Sequence, residues 1–269
     1  LMKKVFYICL AVFFTTGISL FYLIDKNYLT LKSKFNEQNI NGSISINSDD
    51  ERVVLEKDYK LDNEKLNINL DIGNVTIEKY DGSVIKIKST IPQKSMRDYK
   101  INEENRELSI DGSIAEEIVI KIPRDKMLEG NINVGVGNIR AENLKNAIIG
   151  LSTGDFEAKN IDGFQKVNLN LGSIKISNSK NISIIKLGTG DITLDIVEQN
   201  RDFLIENGMG DVDLNINNMF DGKIETHVGL GDIRETNMKT NGNKYNGTVE
   251  LGTGDLSIEG VDYNGKEIN

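Results

Sequence analysis

A five-residue phrase recurs along the chain and limits its fold more than any other feature. It reads Gly188-Thr189-Gly190-Asp191-Ile192, Gly208-Met209-Gly210-Asp211-Val212, Gly229-Leu230-Gly231-Asp232-Ile233 and Gly252-Thr253-Gly254-Asp255-Leu256. Looser forms are Asp71-Ile72-Gly73-Asn74-Val75, Gly135-Val136-Gly137-Asn138-Ile139, Ser152-Thr153-Gly154-Asp155-Phe156 and Asn170-Leu171-Gly172-Ser173-Ile174. From Gly137 onward the central glycines are spaced by 17, 18, 18, 20, 21 and 23 residues. Self-similarity at such a period marks a repeat architecture.

The flanks of each central glycine alternate. Three residues before it stand Val134, Leu151, Leu169, Leu187, Val228 and Leu251, with Asn207 the exception. Two residues after it stand Ile139, Phe156, Ile174, Ile192, Val212, Ile233 and Leu256. Apolar and polar residues at a period of two predict short strands with one inward face. The glycine between them permits a bend or a positive φ. Asn143, Asn160, Asn178 and Asn237, six residues after the glycine, suit a second turn with left-handed backbone. A two-strand unit this short cannot bury its apolar face alone, so copies must stack. The expectation is all-β: a single-domain, β-helix-like β-solenoid of about eight coils over residues 51–262. Residues 52–130 are less regular and are expected to begin the same structure and cover its first edge.

Val5 to Ile24 is a run of 20 residues without a charge. A helix of that length spans about 30 Å, the thickness of a bilayer core. The run continues through Leu20-Phe21-Tyr22-Leu23-Ile24 without a small-x-small cleavage site, which favours an uncleaved anchor over a removed signal peptide. The sequence thus predicts a cytoplasmic stub and one N-terminal transmembrane helix within residues 1–26, a polar stalk over 27–50, the repeat domain, and a tail over 263–269. With Lys3 and Lys4 inside, the C-terminal domain is placed outside the membrane.

Composition excludes several functions. There are 41 Asp and Glu against 32 Lys and Arg, which argues against a nucleic-acid partner. One Cys, Cys9, rules out an intrachain disulfide, and one His, His227, leaves little room for a histidine-based metal site or catalytic triad. His227 lies between inward positions and is expected to be exposed. No catalytic or cofactor-binding constellation stands out from the repeat. The residues following the central glycines would form a column of carboxylates about 4.8 Å apart. Asp191, Asp211, Asp232 and Asp255 are candidate Ca²⁺ ligands on that ground, although carboxylates accepting turn amides account for the same pattern. The Gly-x-Gly phrases open no helix and sit in no βαβ unit, so they are not dinucleotide sites.

The alternation Leu66-Asn67-Ile68-Asn69-Leu70-Asp71-Ile72-Gly73-Asn74-Val75-Thr76-Ile77, the strand ending Ile120-Lys121-Ile122-Pro123 and the later Gly-x-Gly-Asp phrases resemble the putative-adhesin family of bacterial β-strand-repeat proteins. That resemblance covers about residues 51–262. It implies an extracytoplasmic β-helix-like domain, often held by one membrane span, and supplies no catalytic residues. The functional expectation is a non-catalytic, membrane-anchored scaffold or adhesin-like interaction module of the bacterial cell envelope. Its partners would be the membrane, through residues 5–24, and an envelope or surface protein. The alternative is an accessory sensor or regulator of an envelope-stress system.

Overall fold

The computed structural model describes residues 42–47, 52–60, 62–237 and 242–263. The apolar run 5–24, Cys9, most of the stalk and residues 264–269 lie outside them. The chain divides into two compact units, Leu1–Ile44 and Ser45–Asn269. The first falls almost wholly outside the described residues, and the following concerns the second.

Twenty strands occur in chain order: β1 (Gly42–Asn47), β2 (Arg52–Tyr59), β3 (Lys65–Tyr80), β4 (Ile85–Pro92), β5 (Lys100–Glu104), β6 (Glu107–Pro123), β7 (Leu128–Val136), β8 (Ile139–Glu142), β9 (Leu144–Thr153) and β10 (Phe156–Lys159). The second half holds β11 (Asp162–Leu171), β12 (Ile174–Ile182), β13 (Ile184–Thr189), β14 (Ile192–Glu198), β15 (Phe203–Met209), β16 (Val212–Asn217), β17 (Gly222–Leu230), β18 (Ile233–Thr236), β19 (Tyr245–Thr253) and β20 (Leu256–Val261). A single 3-10 turn, Gln93–Ser95, is the one helical element among the described residues.

The architecture corrects the expected one. The described residues are all-β, but they contain a closed seven-stranded parallel β-barrel rather than the expected single β-solenoid of about eight coils, and the transmembrane helix expected over residues 5–24 lies outside them. The ring runs β3–β7–β9–β11–β12–β10–β8 and back to β3. It closes for two reasons. The long β3 pairs with β7 through its first half and with β8 through its second. On the far side the start of β11 pairs with the end of β12, Asp162 beside Lys180 and Phe164 beside Ile182. Alternation in sequence reports which side chains face inward; it carries no information on which strands close a ring. No helix among the described residues is long and apolar enough to cross a membrane.

Two ladders extend beyond the ring. β11 continues through β13, β15, β19 and β17; β12 continues through β14, β16, β20 and β18. Every pairing in them is parallel, and the repeat stays in register. Ile139, Phe156, Ile174, Ile192, Val212 and Leu256 stack in turn, each at most 1% exposed. Phe156 and Phe164 meet edge to face within the ring, their centroids 6.0 Å apart. One feature departs from chain order: β19 lies between β15 and β17, and β20 between β16 and β18. The repeat of Gly254 therefore sits inside that of Gly231.

The two ends differ. Beyond β3, β6 pairs along almost its whole length, then β4 and β2 add antiparallel strands, with β5 antiparallel on β6. These strands cover the first edge. At the other end β17 and β18 have recorded strand partners on one side only, β19 and β20. Turns are as the residue types suggest: Asn143, Asn160, Asn178 and Asn237 all adopt positive φ, between 45° and 61°. At the central glycine Gly190, φ is +134° and an added Cβ would lie 1.7 Å from the Gly172 carbonyl oxygen. Only glycine lets the two layers approach so closely there.

Candidate functional site

Each repeat turns a corner at its central glycine, and stacking converts the corner into four parallel files. The file after the glycine holds the carboxylates. Its members do not cap their own turns. The Asn74 Oδ1 accepts the Asn138 amide at 3.0 Å, and the Asn138 Oδ1 accepts the Asp155 amide at 2.9 Å. The Asp155 Oδ1 accepts both the Ser173 amide at 2.9 Å and the Ser173 hydroxyl at 2.7 Å. Farther on, Asp191 accepts from the Asp211 amide, Asp211 from that of Asp255 and Asp255 from that of Asp232. Each of these six side chains thus holds the backbone of the next layer, in the spatial order rather than the chain order.

An amide hydrogen bond to an ionised carboxylate offsets the repulsion of about 1 kcal/mol expected between neighbouring charges in water. The hydroxyl and amide of Ser173 hold the Asp155 carboxyl below the usual carboxylate range. Of the candidate ligands, Asp191, Asp211 and Asp255 each commit one oxygen to an amide. Among the described residues no three His, Cys, Asp or Glu side chains converge as a metal-binding group.

The file before the glycine was not anticipated. In spatial order it reads Ile72, Val136, Thr153, Leu171, Thr189, Met209, Thr253 and Leu230. Its five apolar members are 47–70% exposed, and they make up most of the large exposed apolar side chains of the described chain. At about 4.8 Å per layer the file is about 34 Å long. Isolated exposed apolar residues are ordinary; five in one file, interrupted only by Thr153, Thr189 and Thr253, are not. Parity alone does not reveal it: each of these residues lies two after an inward position, as Leu171 does after Leu169 and Met209 after Asn207, yet is exposed at the corner before the central glycine.

Beside this file a shallow groove of about 1010 Å³ crosses β13, β15, β19 and β17. Its floor is the backbone of Gly188, Gly208, Gly252 and Gly229. Lys186, Glu206, Glu250 and the exposed His227 stand along its flank, with Lys186 paired to Glu206. Asn207, the exception among the inward residues, also borders it. Its Nδ2 donates to the carbonyls of Gly190 at 3.0 Å and Gly210 at 3.1 Å, while its buried Oδ1 has no partner. Asn207 therefore ties the corner of its own layer to that of the neighbouring layer, a structural use of a polar side chain in an apolar column.

No family model matches the chain, and no curated protein matches it in sequence. Among solved structures it is similar to a putative cell adhesion protein from Clostridium sporogenes, at 14% identity and a TM-score of 0.36, covering 83% of this chain and 100% of that one. A putative adhesin from Bacteroides fragilis is 11% identical with a TM-score of 0.31, covering 76% of this chain and 96% of the other. A protein from Parabacteroides distasonis described as a putative lipid binding protein is 12% identical, with a TM-score of 0.27 over 77% of this chain and 96% of that one. Several neighbours thus carry the description that the sequence resembles. The functional reading below rests on the surface of this chain itself.

Proposed function

We propose that this chain is a non-catalytic, adhesin-like interaction module of the bacterial cell envelope, displayed outside the membrane and tethered to it by the apolar residues 5–24. The observation that carries the reading is the exposed file from Ile72 to Leu230. Water contact along it leaves on the order of 400 Å² of apolar surface uncovered, about the size of a functional patch on a monomer. Covering that area contributes about 10 kcal/mol gross at 25 cal/mol per Å². Association costs ~4–15 kcal/mol, so the file alone supports modest affinity and needs polar contacts beside it. The acidic column on one side and the glycine-floored groove on the other supply such contacts. An extended protein segment laid along the file, alternating apolar and polar contacts, fits its dimensions.

The test replaces Leu171, Met209 and Leu230 together with Ser. Each is exposed, so folding stability should change little, within about 0.5 kcal/mol per site. Binding to intact cell envelopes should fall to background while the melting temperature holds. Unchanged envelope binding by the triple variant would remove the basis of the proposal. Protease treatment of intact cells tests display separately: fragments from the region after residue 50 should be released into the medium.

A further inference from the structure

The terminal layer of the ladders has lost the neighbour that every other layer has. Ile233 is 47% exposed, although the residues at its place in the seven other layers are buried. Ile224, Thr226 and Val228 of β17 are half-buried, whereas Ile205 and Val249, in register with Thr226 through the ladder, are fully buried. Inward side chains are half-uncovered here, beside a strand edge with no recorded main-chain partner among the described residues. Such an edge is a template for another strand.

We propose that β17 pairs antiparallel with β17 of a second copy of this chain, about a two-fold axis at Thr226. The strand's own sequence selects that partner and that register. In an antiparallel pair like faces meet only when opposite residues share parity. Centring on Glu225 sets two carboxylates directly against each other, which is destabilising. Centring on His227 sets Glu225 against Gly229 and leaves it without a partner. Centring on Thr226 sets each Glu225 opposite the second copy's His227, each Ile224 opposite its Val228, and Thr226 opposite its counterpart. The imidazole can donate to the carboxylate on the outer face. The two β-branched pairs and the Thr pair close the inner face, where cross-strand pairs of these types are favourable. The interface is isologous, so it stops at two copies and does not propagate into a fibre. The observations behind it are independent of the exposed file, so either proposal can fail alone.

Crosslinking of the full chain tests the register. In a Cys9→Ser background, Thr226→Cys places two thiols opposite each other across the axis. Opposed residues in an antiparallel pair have Cα atoms about 4.5–5.5 Å apart, within disulfide range. Mild oxidation should convert the protein to a covalent dimer, while Asp213→Cys, exposed elsewhere, should remain monomeric. Adding Glu225→Lys to Thr226→Cys should abolish the crosslink, and further addition of His227→Glu should restore it. A monomeric mass for the wild-type full chain in light scattering, with no Thr226→Cys crosslink, overturns the proposal. A crosslink insensitive to the charge reversal overturns the register. Capture of the edge by the chain's own residues 1–41, read as intramolecular crosslinking, overturns the choice of partner.

Discussion

Replacing Gly190 with Ala tests the packing of the corner most directly. The Gly190 backbone sits at φ +134°, and the new methyl would meet the Gly172 carbonyl oxygen at 1.7 Å. Holding a side-chain residue in such a conformation costs ~1–3 kcal/mol. Relieving the overlap means separating two layers whose amides are bonded through this corner. The Gly190 amide donates to the Met209 carbonyl at 2.8 Å and the Gly172 amide to that of Thr189 at 3.1 Å. Overpacking in a tightly filled region typically adds ~1–3 kcal/mol. The total is about 2–6 kcal/mol. With a urea dependence of about 2 kcal/mol per molar, the unfolding midpoint should fall by roughly 1–3 M. Thr189→Ala, one residue away and exposed, should stay within about 0.5 kcal/mol of wild type. A Gly190→Ala midpoint matching that of Thr189→Ala would show that the layers are not in the close contact described.

Further outcomes follow from other positions. Ile192→Asp places an unpaired carboxylate between Ile174 and Val212 at a site 1% exposed, and should abolish cooperative thermal unfolding as read by circular dichroism. The Asp155 carboxyl, held below its unfolded value by Ser173, contributes stability above that unfolded value and loses it as pH falls through the lower folded one. Melting temperature should therefore drop more steeply below about pH 4 in wild type than in Asp155→Ala. The Tyr59 hydroxyl is buried without a partner, so Tyr59→Phe should raise stability by about 1 kcal/mol in urea titration. Burial lifts the Tyr59 and Tyr99 phenols above their ordinary value. Their contribution is complete below about pH 10 and is lost as pH rises toward the folded values, so their absorbance change should accompany alkaline unfolding.

The lateral register was readable in advance, because it depends on local alternation. Leu187, Ile192 and their equivalents had to face inward wherever the strands lay, and outside the terminal layer of β17 and β18 they do. The turn asparagines were readable for the same local reason. Closure of the ring was not. It depends on the contact of Phe164 with Ile182, between β11 and β12, which resembles any other pair of apolar residues in the sequence. Nor was the inversion of the last two repeats readable, since Gly229-Leu230-Gly231-Asp232 and Gly252-Thr253-Gly254-Asp255 are equivalent in chemistry and can exchange places without altering the pattern. At the candidate site, the carboxylate column and its acceptance of turn amides were legible; that each amide belongs to the next layer was not. The apolar file was not legible because Leu171, Met209 and Leu230 continue the inward parity of Leu169, Asn207 and Val228, and only the corner at the next glycine exposes them.

The inverted order of the last repeats has a bearing on synthesis. When residues up to Leu230 have left the ribosome, the edge of β15 is complete, but the strand that belongs on it, Tyr245–Thr253, has yet to be made. During that interval β17, already present and matching in pattern, is the nearest substitute. Contacts that wait for distant residues form slowly. The arrangement therefore invites a premature docking of β17 onto β15 that must be undone before β19 can take its seat, and it makes the placing of β19 and β20 the step on which correct assembly turns.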